Sequence, residues 1–336
     1  MLVSSLRVEE FRWPPVPATL ADPDSGPERK LRLRLVSSPP QSRDPDAMHS
    51  RRETTLAAMF QAGGIGLHTG DRANVKVCPA EAGSGIVFQR RLSDGRVVSI
   101  PAQRHARISQ PLCTALQASD GTMVRTVEHL LAALSALQID NARIEIDCEE
   151  VPILDGSAAP WCEAILRAGR VEFPAPRAMI RVLRTVEVRD GRRHLRIEPC
   201  NHLSISASVE LAKFGEMHWT GAISHENFLH ELAPSRSFGR LVWALPVKLY
   251  ARSRGLPILR GANFSTTAAI FGRHVVGGMR VPDEPVRHRV LDLVGDLSLA
   301  GHPILGHVKA LHTGHELNHA LVAELMCDAS SWEMVE

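Results

Sequence analysis

The globular part of this chain reads as α+β, built from two similar halves, and three observations lead there. Short alternating segments are interleaved with a few helical ones, so neither strands nor helices dominate. The 336 residues exceed what one hydrophobic core usually holds. Two stretches also share one plan, RTVEHLLAALSALQIDNARIEI (125–146) and PVRHRVLDLVGDLSLAGHPILGHVKA (285–310). Each sets a His early in a helix, then a short turn, then a strand, which points to a duplicated α+β unit with a site between its copies.

In chain order, residues 1–50 carry WPPVP, DPDSGPERK and SSPPQSRDPD without sustained periodicity, and are expected to be a disordered extension. Their acidic residues disfavour a transit peptide. Met48 stands where globular patterning begins and is an alternative start, which an intact mass of the natively expressed protein would test. A first α+β domain is expected over 51–172. It opens on a glycine-rich turn, Gly63 to Gly70, enclosing His68, followed by the strands ANVKVCPA and GIVFQRR. A helix follows with Thr126 as its expected N-cap, then the strand NARIEIDC and a helix from Ser157 to Arg167. The proline-containing VEFPAPRA (171–178) marks the boundary, with 173–178 as linker. The second α+β domain, 179–336, begins with a hairpin around Asp190-Gly191 and continues through SISASVELA and a short helix HENFLHELA. Residues 240–273 show no clear period. A helix through His288 then leads by Gly301 to the strand ILGHVKAL and a last helix, Gly314 to Met326.

Composition excludes several classes. With Lys+Arg 39 against Asp+Glu 37, the net charge of +2 leaves no broad nucleic-acid surface. The six cysteines are scattered with no C-x-x-C, which fits reduced thiols of a cytoplasmic protein. No apolar run approaches the roughly 18 residues of a membrane span, and the N-terminus lacks the apolar stretch of a signal peptide.

The residues fit for chemistry cluster in the repeated stretches. His288, Asp292 and Asp296 are spaced i, i+4, i+8 and share one stripe, with Val290, Leu293, Val294 and Leu297 opposite. Such a stripe is either a solvated face or a metal-binding one, and Asp is a poor choice for the former because it forms helices badly. Glu128 and His129 head a helix that is apolar nearly all round. Glu128 either complements the helix dipole or, with His129, sits at a cleft or a metal. His315 opens the final helix within HTGH; with His312 and His319 it could equally be a fortuitous cluster. Together, one His from each half and an Asp one turn away make a His2Asp set with an open position. A neighbouring Glu can act as general base and a separate His as acid, so the reading is a metal-dependent hydrolase. Such a set suits Zn2+ and also Fe2+.

Several longer words carry a resemblance: GIGLHTG (64–70), TVEHLLAALSALQIDNARIEI (126–146), EVPILDGSAAPW (150–161), SRSFG (235–239), SRGL (253–256), DEPVRHRVLDLVGDLSLAGHPILG (283–306) and TGHELNHAL (313–321). In this order, across residues 51–336, they resemble the UDP-3-O-acyl-N-acetylglucosamine deacetylases, zinc enzymes of the committed step of lipid A synthesis. The resemblance implies zinc on His129, His288 and Asp292, Glu128 as the base that activates the attacking water, and His315 as the acid that protonates the departing amine. It implies Asp296 behind His315, and Ser237, where the family usually has Thr, at the oxyanion. It further implies two α/β sandwich domains, helices packed between sheets, with the site at their junction. Leu67 and His68 would lie at the acyl and sugar end beside Phe238, and Trp161 would stack on uracil. Arg289 and His312 would stand near the diphosphate, each where the family commonly has another basic residue.

The acyl passage is expected in an insert at about 240–273, and there the chain departs most from the family pattern. Arg240 replaces an apolar aromatic, RLVWALPVKLYARSRG is about four residues longer than the family pattern, and Ser265 and Thr266 stand where an acidic or amide residue is usual. A monomer without nucleic-acid partners is expected.

Overall fold

A computed structural model describes residues 52–336; the extension expected over 1–50 lies outside them. Two five-stranded sheets carry the fold, and they have the same topology. The first orders its strands Phe60–Ile65, Arg72–Pro79, Ala142–Ile146, Ile86–Arg91 and Val97–Pro101. The second orders Val186–Asp190, Arg193–Glu198, His307–Leu311, Ser204–Leu211 and Gly215–Ala222. Each consists of two antiparallel hairpins with the strand that follows a helix inserted between them. That inserted strand is antiparallel to the first hairpin and parallel to the second. The weak repeat in sequence is therefore a repeat in topology.

Alternation explains which faces are covered. Val75, Val77, Phe88 and Ile144 of the first sheet and Leu195, Ile197, Ile205 and Val308 of the second all turn into one continuous core. Helices fill it. Helix α1, Glu128–Ala136, buries every residue but Ser135, as its all-round apolar sequence requires. A second helix, α2, Ala159–Ala168, packs on it. The short α3, His225–Asn227, capped by the Ser224 hydroxyl, runs on into a π-helical turn through Leu232. Residues Leu241–Ser253 form α4, Glu284–Leu297 α5 and His315–Cys327 α6. The α1–α5 pair is the most extensive helix contact, and Gly295 permits it: a Cβ there would lie 2.2 Å from the Glu128 carbonyl oxygen. That approach brings the heads of the two repeated stretches together.

Two local expectations fail. Thr126 does not cap α1; it adopts a left-handed backbone (φ 57°), Val127 takes the cap position, and the Thr126 hydroxyl donates to Glu150 instead at 2.8 Å. The buried Glu150 carboxylate is the stronger acceptor, and it also receives the His68 and Thr69 amides. The segment read as a linker is mostly strand: Arg170–Pro176 pairs antiparallel with Arg52–Leu56. The ladder shifts register between the Thr54–Glu172 and Arg52–Pro176 pairs, and Pro174 falls within that irregularity. The patternless 240–273 contains α4, which runs on through Pro246, and the strand Ala268–Phe271, part of a three-stranded sheet with Phe238–Arg240 and His274–Val275.

Candidate metal centre and its proton-transfer pair

Helices α1 and α5 deliver the central residues. His129, one position into α1, meets His288 and Asp292, one turn apart on α5; their ligand-capable atoms all lie within 4.8 Å of one another. Asp292 Oδ1 stands 3.6 Å from His129 Nε2 and 3.4 Å from His288 Nε2. These distances are long for hydrogen bonds, and Asp292 Oδ1 is buried with no hydrogen-bond partner. They match the spacing of atoms around a shared ion, since donors at 2.0–2.1 Å in tetrahedral array lie roughly 3.3 Å apart. The set fits a divalent metal, with Asp292 Oδ1 and both Nε2 atoms as donors. His288 Nδ1 is 3.1 Å from the Ser235 carbonyl, which fixes the ring so that Nε2 faces inward.

Charge differs between the two imidazoles: burial would lower His129, but Asp292 and Glu128 raise it above the ordinary histidine value. Burial pushes the His288 pKa down to about 4, against the pull of Asp292, so its imidazole is neutral and free to ligate. Burial alone would raise Asp292, but the neighbouring imidazoles outweigh it and hold the carboxyl below the usual range.

Beside the triplet, Glu128 Oε1 lies 3.9 Å from His315 Nε2. Burial raises the Glu128 pKa to about 7, with His315 and His129 opposing the shift. His315 moves the same way: burial would lower it, yet the Asp296 carboxylate carries it to about 10. Asp296 Oδ2 accepts from His315 Nδ1 at 2.9 Å and from the Asn318 amide at 2.7 Å, and Oδ1 accepts from the Thr114 hydroxyl at 2.5 Å. The Thr114 backbone N–H donates to Glu128 Oε2 at 3.0 Å. Thr114 thus ties both members of the pair together. No pattern in the surrounding loop marks it, whereas Asn318 stands one turn after His315 and its spacing was available.

The remaining sequence candidates fall in three places. Ser237 and Phe238 continue from Ser235; the Phe238 ring sits 6.2 Å from that of His288 and 5.0 Å from the Arg289 guanidinium carbon. Arg289 is joined by Arg193, which the sequence did not single out. Both reach Gly314, where a Cβ would lie 2.9 Å from Arg193 Nη2 and 3.5 Å from Arg289 Nη1. Gly314 itself is extended (φ −175°), so space rather than backbone freedom requires glycine there. The His312 carbonyl accepts from Arg193 Nε at 3.2 Å, which places His312 at the same basic corner. Leu67 and His68 lie in the glycine turn, where their carbonyls accept from the Gly261 and Arg260 amides. Burial lowers His68 to about 4, and its Nε2 has no partner. Trp161 is the exception. At 1% exposure it is part of the core, and no face of its ring is open to stack on a base.

A family model described as UDP-3-O-acyl N-acetylglycosamine deacetylase matches residues 53–327. The chain is 37% identical over 290 residues, 85% of its length and 90% of the relative's, to a UDP-3-O-acyl-N-acetylglucosamine deacetylase of Myxococcus xanthus (strain DK1622). Against the protein of that name from Geobacter sp. (strain M21) it is 39% identical over 292 residues, covering 84% of this chain and 92% of the relative. The Shewanella sp. (strain W3-18-1) protein is 35% identical over 290 residues. With a family model matching residues 53–327 and relatives 37% and 39% identical over most of its length, this chain belongs to the UDP-3-O-acyl N-acetylglycosamine deacetylase family.

Proposed function

We propose that the protein hydrolyses the acetamide of UDP-3-O-acyl-N-acetylglucosamine, releasing acetate and the free amine in the committed step of lipid A synthesis. The observation that carries this reading is the Glu128–His315 pair standing 3.9 Å apart beside the His129–His288–Asp292 triplet. A zinc ion on that triplet would supply Lewis acidity, bringing a water's pKa to about 7 and polarising the amide carbonyl. The protein groups do the rest. Glu128, raised to about 7, is poised to take a proton from the attacking water at neutral pH. His315, raised to about 10, carries a proton through the same range and gives it to the departing amine nitrogen. Asp296 keeps that proton on His315 until the C–N bond breaks, and Asn318 and Thr114 keep Asp296 from turning away. Ser237 supplies a hydroxyl toward the developing oxyanion. Arg289, Arg193 and His312 form the basic corner for the diphosphate. Leu67, His68 and Phe238 border the acyl and sugar end.

Glu128→Gln tests the assignment. The variant is expected to keep its metal and lose kcat by about 10²–10⁴, the range of a general base. Full activity in a metal-loaded Glu128→Gln protein would refute the role given to Glu128.

A further inference from the structure

Beyond the reaction, residues 233–282 differ in charge from the rest of the chain. They contain no Asp or Glu, while eight of the chain's 39 Lys and Arg fall among them. Arg236 and Arg280 are paired with Glu284 and Asp155, Lys248 bonds the Ala262 carbonyl, and Arg260 bonds carbonyls of 255 and 256. Arg240, Arg252, Arg254 and Arg273 have no acidic partner among the described residues.

The same segment turns apolar side chains outward. On α4, Ala244, Val247 and Ala251 face the protein, while Val242, Trp243, Leu245, Leu249 and Tyr250 are 49–59% exposed. At 100° per residue these five fall within one arc opposite Ala251. Phe264 and Phe271, at 62% and 64%, add to the exposed apolar surface of the segment. A solvated helix normally presents the reverse pattern.

We infer that the α4 face and its flanking arginines are a docking surface for anionic phospholipid bilayers. Trp and Tyr suit the headgroup level, the leucines the acyl boundary, and the unpaired guanidiniums the negative surface potential. A second copy of the chain is a poor occupant, because pairing two such faces would set acid-free cationic segments against each other. Strand Phe238–Arg240 runs from His288 directly into α4, so a docked α4 lies next to the metal centre.

Co-sedimentation of the full chain with vesicles tests this. Binding is expected to vesicles of phosphatidylcholine containing about a third phosphatidylglycerol, and to be at least about tenfold weaker to phosphatidylcholine alone and at raised salt. The triple variant Arg252→Glu, Arg254→Glu, Arg273→Glu should lose the preference for anionic lipid. Leu249→Ser with Trp243→Ser should lose binding altogether. All five positions are exposed, and unchanged melting of each variant will show that the fold is intact. No binding of the wild-type chain to the mixed vesicles, equal binding to both compositions, or variants binding like the wild type would each overturn the inference. So would a concentration-dependent dimer, abolished by Leu249→Ser, in a chain that ignores vesicles.

Discussion

Asp292 and Asp296 lie one turn apart on α5, both buried, and their surroundings give them different work. Asp292 Oδ1 has no hydrogen-bond donor and faces two imidazole nitrogens; Asp296 is filled by donors from His315, Asn318 and Thr114. Metal analysis should therefore separate them, with Asp292→Ala losing bound zinc and Asp296→Asn retaining it. The pH dependence separates them too. In the proposed mechanism His315 must be protonated to act as acid, so activity is expected to fall as pH rises through its pKa. Removing the Asp296 charge, the main upward pull on that pKa, is expected to move the alkaline limb of the kcat profile to lower pH. An unmoved limb in Asp296→Asn would mean that another group sets it. At this scale the sequence was legible where ligands share a helix, because i, i+4 and i+8 need no tertiary knowledge. Thr114 and Arg193 were not legible, since a loop and a strand approach the site only through the fold. Trp161 shows the opposite error, an aromatic in a matching word that packing had already used.

Among elements, the junction of the SRSFG segment with α5 holds the site together. Glu284, fully buried, accepts from the Arg236 backbone N–H at 2.9 Å, from its guanidinium at 2.8 and 3.0 Å, and from the Arg280 N–H at 3.1 Å. This pair fixes Ser235, whose carbonyl orients His288. Glu284→Ala leaves the Arg236 charge buried alone and should lower unfolding free energy by about 3–5 kcal/mol in urea titration. Burial would raise the Glu284 pKa, but Arg236 holds it below the ordinary value, so its stabilisation is present above that value and is lost as pH falls through the depressed one. Acid unfolding of the wild type should consequently be steeper than that of Glu284→Gln. At the head of α6, Gly314→Ala is expected to push Arg193 aside and raise KM for the sugar nucleotide more than it lowers kcat. A fall in kcat alone would remove Arg193 and Arg289 from the proposed diphosphate corner. Helix periodicity announced α1, α5 and α6. The Arg170–Pro176 strand was hidden by its prolines, and α4 by the Pro246 within it and by an apolar face turned outward.

At the scale of the molecule, two copies of one sheet topology set α1 and α5 side by side, and each copy supplies part of what neither could do alone. His129 and Glu128 come from the first half; His288, Asp292, Asp296 and His315 from the second. Gly295 sets their separation, so a larger residue there should disturb metal binding without touching a ligand. The repeat was readable because its helix-turn-strand pattern is local, while the insertion of each post-helix strand between two hairpins is a long-range pairing that no short pattern encodes. The most direct measurement is acetate release from UDP-3-O-acyl-N-acetylglucosamine by purified protein reconstituted with zinc. One acetate per free amine, abolished by chelation and restored by the metal, is the expected result; a protein that binds one zinc yet leaves the acetamide intact across several acyl lengths would contradict it.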